Sequence, residues 1–144
     1  MVISREVINT RWKRFEKALQ ILHQSSRLSH EELLGNEVLL SAVERNFQIA
    51  IECVLDIGNH IIAEKGFESP DENEDIIRIL GIEGIVPSDF AGNLKGLAGF
   101  RNILVHGYTS IDYALLHDYL MNRLDDFRQF ARYVSNYLEK EAGL

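Results

Sequence analysis

Residues 44–64, ERNFQIAIECVLDIGNHIIAE, form the longest clearly patterned segment of the chain. Apolar side chains recur here every third or fourth position, which is the period of a helix with one buried face. The pattern continues upstream, so we expect one helix from about Asn36 to Lys65, with Gly66 as its natural stop. This segment predicts an all-α protein built around one long helix.

The chain before and after this helix repeats the same period. Residues 4–26 predict a first helix, with Ser4 as its N-cap. Two prolines, Pro70 and Pro87, lie in the middle of the chain, and between them we expect a short helix from about Glu72 to Leu80. The segment around each proline should therefore be a connection.

Two further helices are expected in the second half of the chain. One should run from Phe90 to about Val105, capped by Ser88 or Asp89, and the last from Tyr113 to about Lys140, capped by Asp112. Together these segments predict an all-α, up-and-down bundle of four main helices plus a short one, folded as a single domain over residues 1–144.

The helix expected from Phe90 contains three glycines, Gly92, Gly96 and Gly99. Each should cost about 1 kcal/mol relative to alanine in a helix interior. We therefore expect them where this helix packs closely on a neighbour.

The composition is that of a soluble globular protein, with 46% hydrophobic and 26% charged residues. No apolar run approaches the roughly 20 residues that cross a bilayer, and the N-terminus lacks the order of a signal peptide. We therefore expect a cytoplasmic protein. The only cysteine, Cys53, is expected to be an inert core residue, and it excludes an intrachain disulfide.

The charge balance is acidic: 15 basic against 22 acidic residues give 15 − 22 = −7. Nonspecific nucleic-acid affinity comes largely from lysine and arginine, so broad, tight binding of polyanions is disfavoured. A small local basic site remains compatible with this charge, as does a positively charged partner.

The most distinctive polar segment is RNILVHGY at residues 101–108. Arg101 is permanently charged and can grip phosphate oxygens through two N–H donors. His106 can remove and return a proton near neutral pH, and Asn102 can orient either the phosphate or His106. These groups suit metal-independent cleavage of RNA through its own 2′-hydroxyl, with no cofactor and no metal.

The stretch RNILVHGYTSID at residues 101–112, together with residues 44–64, resembles the HepT branch of the HEPN superfamily. The resemblance implies a HEPN-like helical fold, an endoribonuclease toxin acting as a homodimer, and catalytic roles for Arg101, Asn102 and His106. It also implies an antitoxin partner, a minimal nucleotidyltransferase of the MntA type, which transfers AMP to Tyr108. AMP there would block the cleft by bulk and charge.

Helix geometry bears on how this site is assembled. At about 100° per residue, Arg101 and His106 lie roughly 140° apart on one helix and do not converge neatly on one atom. Two copies of the helix across a twofold axis can instead bring His106 of one chain near Arg101 of the other. This favours a composite site in a homodimer.

Several alternatives stay open for these residues. Arg101 can simply bridge two helices through a carboxylate while His106 caps a helix end, and Tyr108 can be a half-buried anchor. The whole chain can also be a noncatalytic nucleotide-binding module or docking partner of a nucleotidyltransferase.

Other polar side chains line the long helix and the first one. Glu52, Asp56, His60 and Glu64 recur at every fourth position, which permits a metal site but more readily interhelical salt bridges. Asp56 is a candidate to support Arg101 or His106. Three further histidines are expected at the surface or in packing contacts: His23, His30 and His117. A basic patch on the first helix can guide RNA and consists of Arg11, Lys13, Arg14 and Lys17.

Overall fold

The computed structural model describes residues 5–106 and 112–141. Within these ranges every regular element is a helix, which confirms the all-α prediction. The helices, in chain order, are α1 (Arg5–Ser25), α2 (His30–Leu34), α3 (Glu37–Lys65), α4 (Asn73–Ile82), α5 (Ser88–Asn93), α6 (Leu97–His106), α7 (Tyr113–Asn122) and α8 (Leu124–Glu141).

The long central helix α3 begins and ends where its local sequence directs. The side chain of Asn36 accepts hydrogen bonds from the backbone N–H groups of Val38 and Leu39, both at 3.1 Å. At the other end Gly66 takes a left-handed conformation (φ 70°), which closes the helix without the strain that a side chain would add. The predicted bounds of this helix are therefore confirmed.

The core forms where the other helices meet α3. Phe47 of α3 is fully buried, and its ring contacts those of Phe100, Tyr119 and Phe127 at centroid distances of 5.4, 6.1 and 6.3 Å. These three rings come from α6, α7 and α8. One aromatic side chain thus fixes the positions of three helices relative to α3.

Two of the expected helices are each divided in two. The segment expected from Phe90 to Val105 consists of α5 and α6, joined by a turn in which Leu94 is buried. The segment expected from Tyr113 to Lys140 breaks at Arg123, which donates to the backbone oxygen of Asn93 (2.8 Å) and pairs with Asp126 (2.6 Å). Tertiary contacts of this arginine outweigh the continuous helical pattern around it.

The capping predictions have mixed outcomes. Asp112 caps α7 as expected, because its side chain accepts from the N–H of Leu115 at 3.1 Å. The prediction that Ser88 or Asp89 caps the following helix is wrong: Pro87 holds the N-cap position, and no side chain caps this helix. Ser4, the cap expected for α1, lies outside the described residues.

A short helix that the apolar pattern did not predict, α2, carries a capping box in which Ser29 and Glu32 bond reciprocally to each other's backbone N–H. The expected short helix near Glu72 is α4, which extends to Ile82.

The expectation that the glycines near α6 mark close packing is wrong within the described chain. A Cβ atom at Gly92 or Gly99 would meet nothing within 4 Å, and one at Gly96 would meet only the Tyr119 hydroxyl, at 3.7 Å. Close approach occurs instead at Gly58 of α3, where a Cβ atom would lie 2.7 Å from Ile76 of α4. None of the described helices combines the length and apolarity that crossing a bilayer requires.

Candidate functional site

Helix α6 carries the first six residues of the RNILVHGY segment, and its apolar side chains anchor it on α3. Leu97 and Phe100 are buried, and the Phe100 ring contacts Phe47 of α3 and stacks on Tyr119 of α7, with centroids 5.4 and 4.1 Å apart. Arg101 directly follows this anchor and is half-buried, whereas the next residue, Asn102, is exposed. The packing of Phe100 therefore sets Arg101 at the border between α6 and α3.

Arg101 makes two hydrogen bonds through its terminal nitrogens. Its Nη2 donates to Oε1 of Glu52 on α3 at 3.2 Å, and its Nη1 makes a longer contact of 3.4 Å to Oδ1 of Asn102. Its Nε is buried and has no hydrogen-bond partner among the described residues. The Arg101 side chain keeps 25% of its surface exposed, so part of the guanidinium stays accessible.

Glu52 is held in place from its own helix. Gln48, one turn earlier, donates from Nε2 to the same Oε1 atom at 3.2 Å. The sequence placed Glu52 in a ladder suited to salt bridges, and this interpretation is confirmed. Its specific partner, Arg101, was not predicted, since the sequence does not reveal which face of α3 meets α6.

The prediction that Asp56 supports Arg101 is wrong, because Arg101 pairs with Glu52. The alternative, that Asp56 supports His106, concerns a side chain outside the described residues. Asp56 pairs with Arg11 of α1, with Nε and Oδ2 at 3.5 Å, and both side chains are largely exposed. Four residues along a helix rotate the side chain by about 40°. A rotation of this size lets Asp56 meet α1 while Glu52 meets α6.

The ladder on α3 does not gather metal ligands in the part of the chain that the structure describes. No group of three or more histidine, cysteine, aspartate or glutamate side chains lies close enough there to hold an ion. Glu52 and Asp56 are instead paired with Arg101 and Arg11.

Two predicted site residues have side chains outside the described part of the chain. His106 is the last residue of α6, but its side chain lies outside the described residues, and so does Tyr108 in the segment 107–111. Arg101 and Asn102 are the predicted catalytic residues whose surroundings the structure gives.

Cys53 lies one residue after Glu52 and is buried, as expected for a core thiol. Burial raises its pKa to about 11, an effect that Arg14 and Arg11 partly oppose and that Asp56 and Glu52 reinforce. The thiol is therefore protonated at neutral pH and is not a nucleophile there.

His23, His30 and His117 lie in packing contacts or beside a cation. The rings of His30 and His117 meet edge to face with centroids 4.8 Å apart, and Nδ1 of His23 is 3.4 Å from Nη2 of Arg128. These contacts agree with the surface and packing roles expected of them.

Two grooves of the described surface lie away from Arg101. One, of about 700 Å³, runs between α1 and α8 and includes Trp12, Lys13 and Arg128. Another, of about 680 Å³, lies between α4 and α5 beside Ile82. Arg101 lines neither of these two grooves.

The all-helical fold and the match of a family model together define the class: an all-helical protein of the ribonuclease HepT-like kind. The chain belongs to the family described as ribonuclease HepT-like, whose model matches residues 15–134.

Individual relatives agree with this assignment. The mRNA nuclease HepT of Shewanella oneidensis is 28% identical over 111 residues, which cover 77% of this chain and 80% of the relative. The putative RNase YutE of Bacillus subtilis is 29% identical over 131 residues, or 90% and 91% of the two chains. Among solved structures, the tri-AMPylated HEPN toxin of Shewanella oneidensis in complex with MNT antitoxin is similar in fold, with a TM-score of 0.84, 22% identity and coverage of 92% and 99%.

Proposed function

We propose that this chain is the RNA-cleaving toxin of a two-gene toxin–antitoxin system and works without a metal. The observation that carries the proposal is the partly exposed Arg101 side chain, which Glu52 fixes beside the exposed Asn102 on the helix that ends at His106. The family, ribonuclease HepT-like, supports the reaction class. The relative named an mRNA nuclease supports RNA as the substrate.

The reaction begins with attack of a ribose 2′-oxygen on the adjacent phosphorus. His106 takes the proton of the 2′-hydroxyl or returns one to the leaving 5′-oxygen, a role typically worth about 10²–10⁴ in rate. Arg101 stabilises the charge on the crowded phosphorane, and Asn102 orients the phosphate or His106. The P–O5′ bond breaks as the P–O2′ bond forms, giving a 2′,3′-cyclic phosphate and a 5′-hydroxyl.

A homodimer completes this site in the proposal, with Arg101 of one chain facing His106 of the other. The wide angle between these two positions on one helix supports a contribution from each chain. So does the outer face of α6, where Asn102 and Ile103 are exposed and Gly99 meets open space. Such a face allows a second α6 to approach.

Silencing of the toxin follows from the position of Tyr108, two residues after His106. A partner nucleotidyltransferase of the MntA type transfers AMP to its hydroxyl and so introduces a phosphate where the substrate phosphate binds. The similar structure of an AMPylated toxin bound to its antitoxin supports this regulation. The toxin and its partner would then act together in the cytoplasm.

The rival function is a noncatalytic docking partner of a nucleotidyltransferase. One observation favours it: Arg101 does bridge α6 to α3 through the carboxylate of Glu52, as a purely structural arginine would. In that case Arg101 and His106 would hold a nucleotide or stabilise the dimer without cleaving RNA.

Cleavage by purified protein separates the two functions. The unchanged chain should cut single-stranded RNA in EDTA, leave 2′,3′-cyclic phosphate ends and spare DNA of the same sequence. Arg101→Ala and His106→Ala should each lower the rate by at least about 10². Cleavage undiminished in both variants would remove the basis for the assigned residues, and no cleavage by the unchanged protein would favour the docking module.

A further inference from the structure

Helix α3 presents two carboxylates that are met by arginines from opposite sides. Arg101 of α6 reaches Glu52 at 3.2 Å, and Arg11 of α1 reaches Asp56 at 3.5 Å. Both α1 and α6 pack on α3. A strip of surface across α3, between Arg101 and Arg11, is therefore bordered by guanidinium groups on two sides.

Arg14 extends this border along α1. It is exposed and lies three residues after Arg11, about one turn further on the same face. Its charge acts together with those of Arg11, Glu52 and Asp56 on the pKa of Cys53, so all four charged groups lie within Coulombic range of that thiol. We call the three arginines 11, 14 and 101 the arginine border.

The basic residues that the sequence places on α1 face two different surfaces in the structure. Arg11 faces Asp56 of α3, whereas Lys13 lines the groove between α1 and α8. No ion pair engages Arg14 within the described residues, although Arg11 and Arg101 each have a carboxylate partner. Arg14 is thus the member of the border best able to take a new anionic partner without giving up an existing one.

We propose that Arg14, supported by Arg11, binds the RNA backbone on the α1 side of Arg101, so that the strand crosses α3 at Glu52 and Asp56. The inference rests on the proposed function, because it takes the phosphate at Arg101 to be the scissile one. It also accounts for RNA binding by a chain of net charge −7: three arginines against two carboxylates leave this surface locally positive. Lysine and arginine contacts to phosphates supply affinity without reading sequence.

Salt dependence of binding tests this surface directly. The probe is a single-stranded 2′-O-methyl RNA of about 12 nucleotides, which lacks the attacking hydroxyl and therefore stays intact. Each phosphate contact to a single strand contributes about 0.7 to the slope of log K against log salt. Arg14→Ala should therefore reduce the slope by about 0.7 and weaken binding about three- to tenfold near 0.1 M salt.

Two variants on neighbouring positions sharpen the result. Lys13→Ala removes a cation from the same helix on its α8 side and should leave both slope and affinity unchanged. Asp56→Asn removes the negative charge beside Arg11 and should tighten binding about twofold at low salt. A gain in affinity cannot come from damage to the fold.

An unchanged slope in Arg14→Ala overturns the inference, and so does an equal loss in Lys13→Ala. Cleavage of unmodified RNA is measured separately. If the unchanged protein does not cleave RNA but the salt slopes of binding change as expected, the proposed nuclease function is wrong and the proposed RNA-binding surface is supported. If the unchanged protein cleaves RNA but Arg14→Ala binds the probe normally, the proposed RNA-binding surface is wrong and the nuclease function is supported.

Discussion

Arg101 of α6 and Glu52 of α3 form an ion pair with Nη2 and Oε1 3.2 Å apart, and Gln48 donates to the same carboxylate oxygen. The two side chains keep 25% and 32% of their surface exposed. A pair this exposed contributes below about 1 kcal/mol to folding. Its larger effect is to fix the direction of a guanidinium that faces solvent on one side.

Replacing Glu52 by glutamine tests this positioning role. The variant keeps the size of the side chain but loses the ion pair with Arg101, so Arg101 becomes less well oriented. We expect kcat for RNA cleavage to fall about tenfold. KM should be unchanged or slightly lower, because a negative charge near the phosphate has been removed.

Glu64→Gln is the matched control, since it neutralises another carboxylate of the same helix three turns from Glu52. It should retain the kcat of the unchanged protein. A Glu52→Gln variant that keeps full kcat would show that the ion pair does not orient Arg101 for catalysis.

Phe47 should be among the costliest positions for stability. Truncation to alanine leaves a cavity where the rings of Phe100, Tyr119 and Phe127 meet. We expect a loss of about 3–5 kcal/mol in the free energy of unfolding, measured by urea denaturation. Val38→Ala, at a position of the same helix that is 79% exposed, should change it by less than about 0.5 kcal/mol. Equal effects of the two substitutions would contradict the aromatic core.

The fold was predictable from sequence where a helix carries its own boundaries. Asn36 and Gly66 end α3 through hydrogen bonds and backbone conformation that depend on adjacent residues only. The break at Arg123 was not predictable, because it depends on contacts with Asn93, 30 positions earlier, and with the Tyr119 ring. Periodicity alone cannot register a tertiary contact of this kind.

The candidate site was likewise predictable only in part from the sequence. A contiguous motif predicts Arg101, Asn102, His106 and Tyr108 as candidates, since all four lie within eight residues of sequence. Glu52 is 49 positions away from Arg101, and its role depends on how α6 packs against α3. Without that packing, the sequence offered Asp56 as a candidate to support Arg101 or His106, whereas the carboxylate that Arg101 meets lies one turn earlier on the helix.

Cys53 gives a test of burial that depends on pH. With a pKa of about 11, about one thiol in a thousand is ionised at pH 8. Labelling by Ellman's reagent should therefore be at least about a hundredfold slower in the folded protein than in urea. Equally fast labelling of both states would contradict the burial of this side chain.

The raised pKa of Cys53 also makes the free energy of unfolding depend on pH. The unfolded thiol ionises at lower pH than the folded one, so the native state binds more protons in between. The contribution of Cys53 is complete below about pH 9 and is lost as pH rises toward about 11. Cys53→Ala should remove this part of the alkaline decline in the free energy of unfolding, and an identical decline in the variant would contradict the shift.

Tyr108 should be the acceptor of AMP. When the chain is coexpressed with a partner nucleotidyltransferase, intact-mass measurement should show added AMP on the unchanged protein and none on Tyr108→Phe. Tyr113→Phe, a nearby tyrosine that is exposed on α7, should still be modified. Modification that persists in Tyr108→Phe would place the acceptor elsewhere.

The central claim is that Arg101 and His106 act from different chains, and a complementation experiment tests it most directly. Arg101→Ala and His106→Ala carry different affinity tags, are coexpressed, and their heterodimer is purified. One of its two composite sites then contains an intact arginine and an intact histidine, so we predict about half the RNA-cleaving rate of the unchanged dimer. A heterodimer as inactive as either parent variant would contradict the shared site.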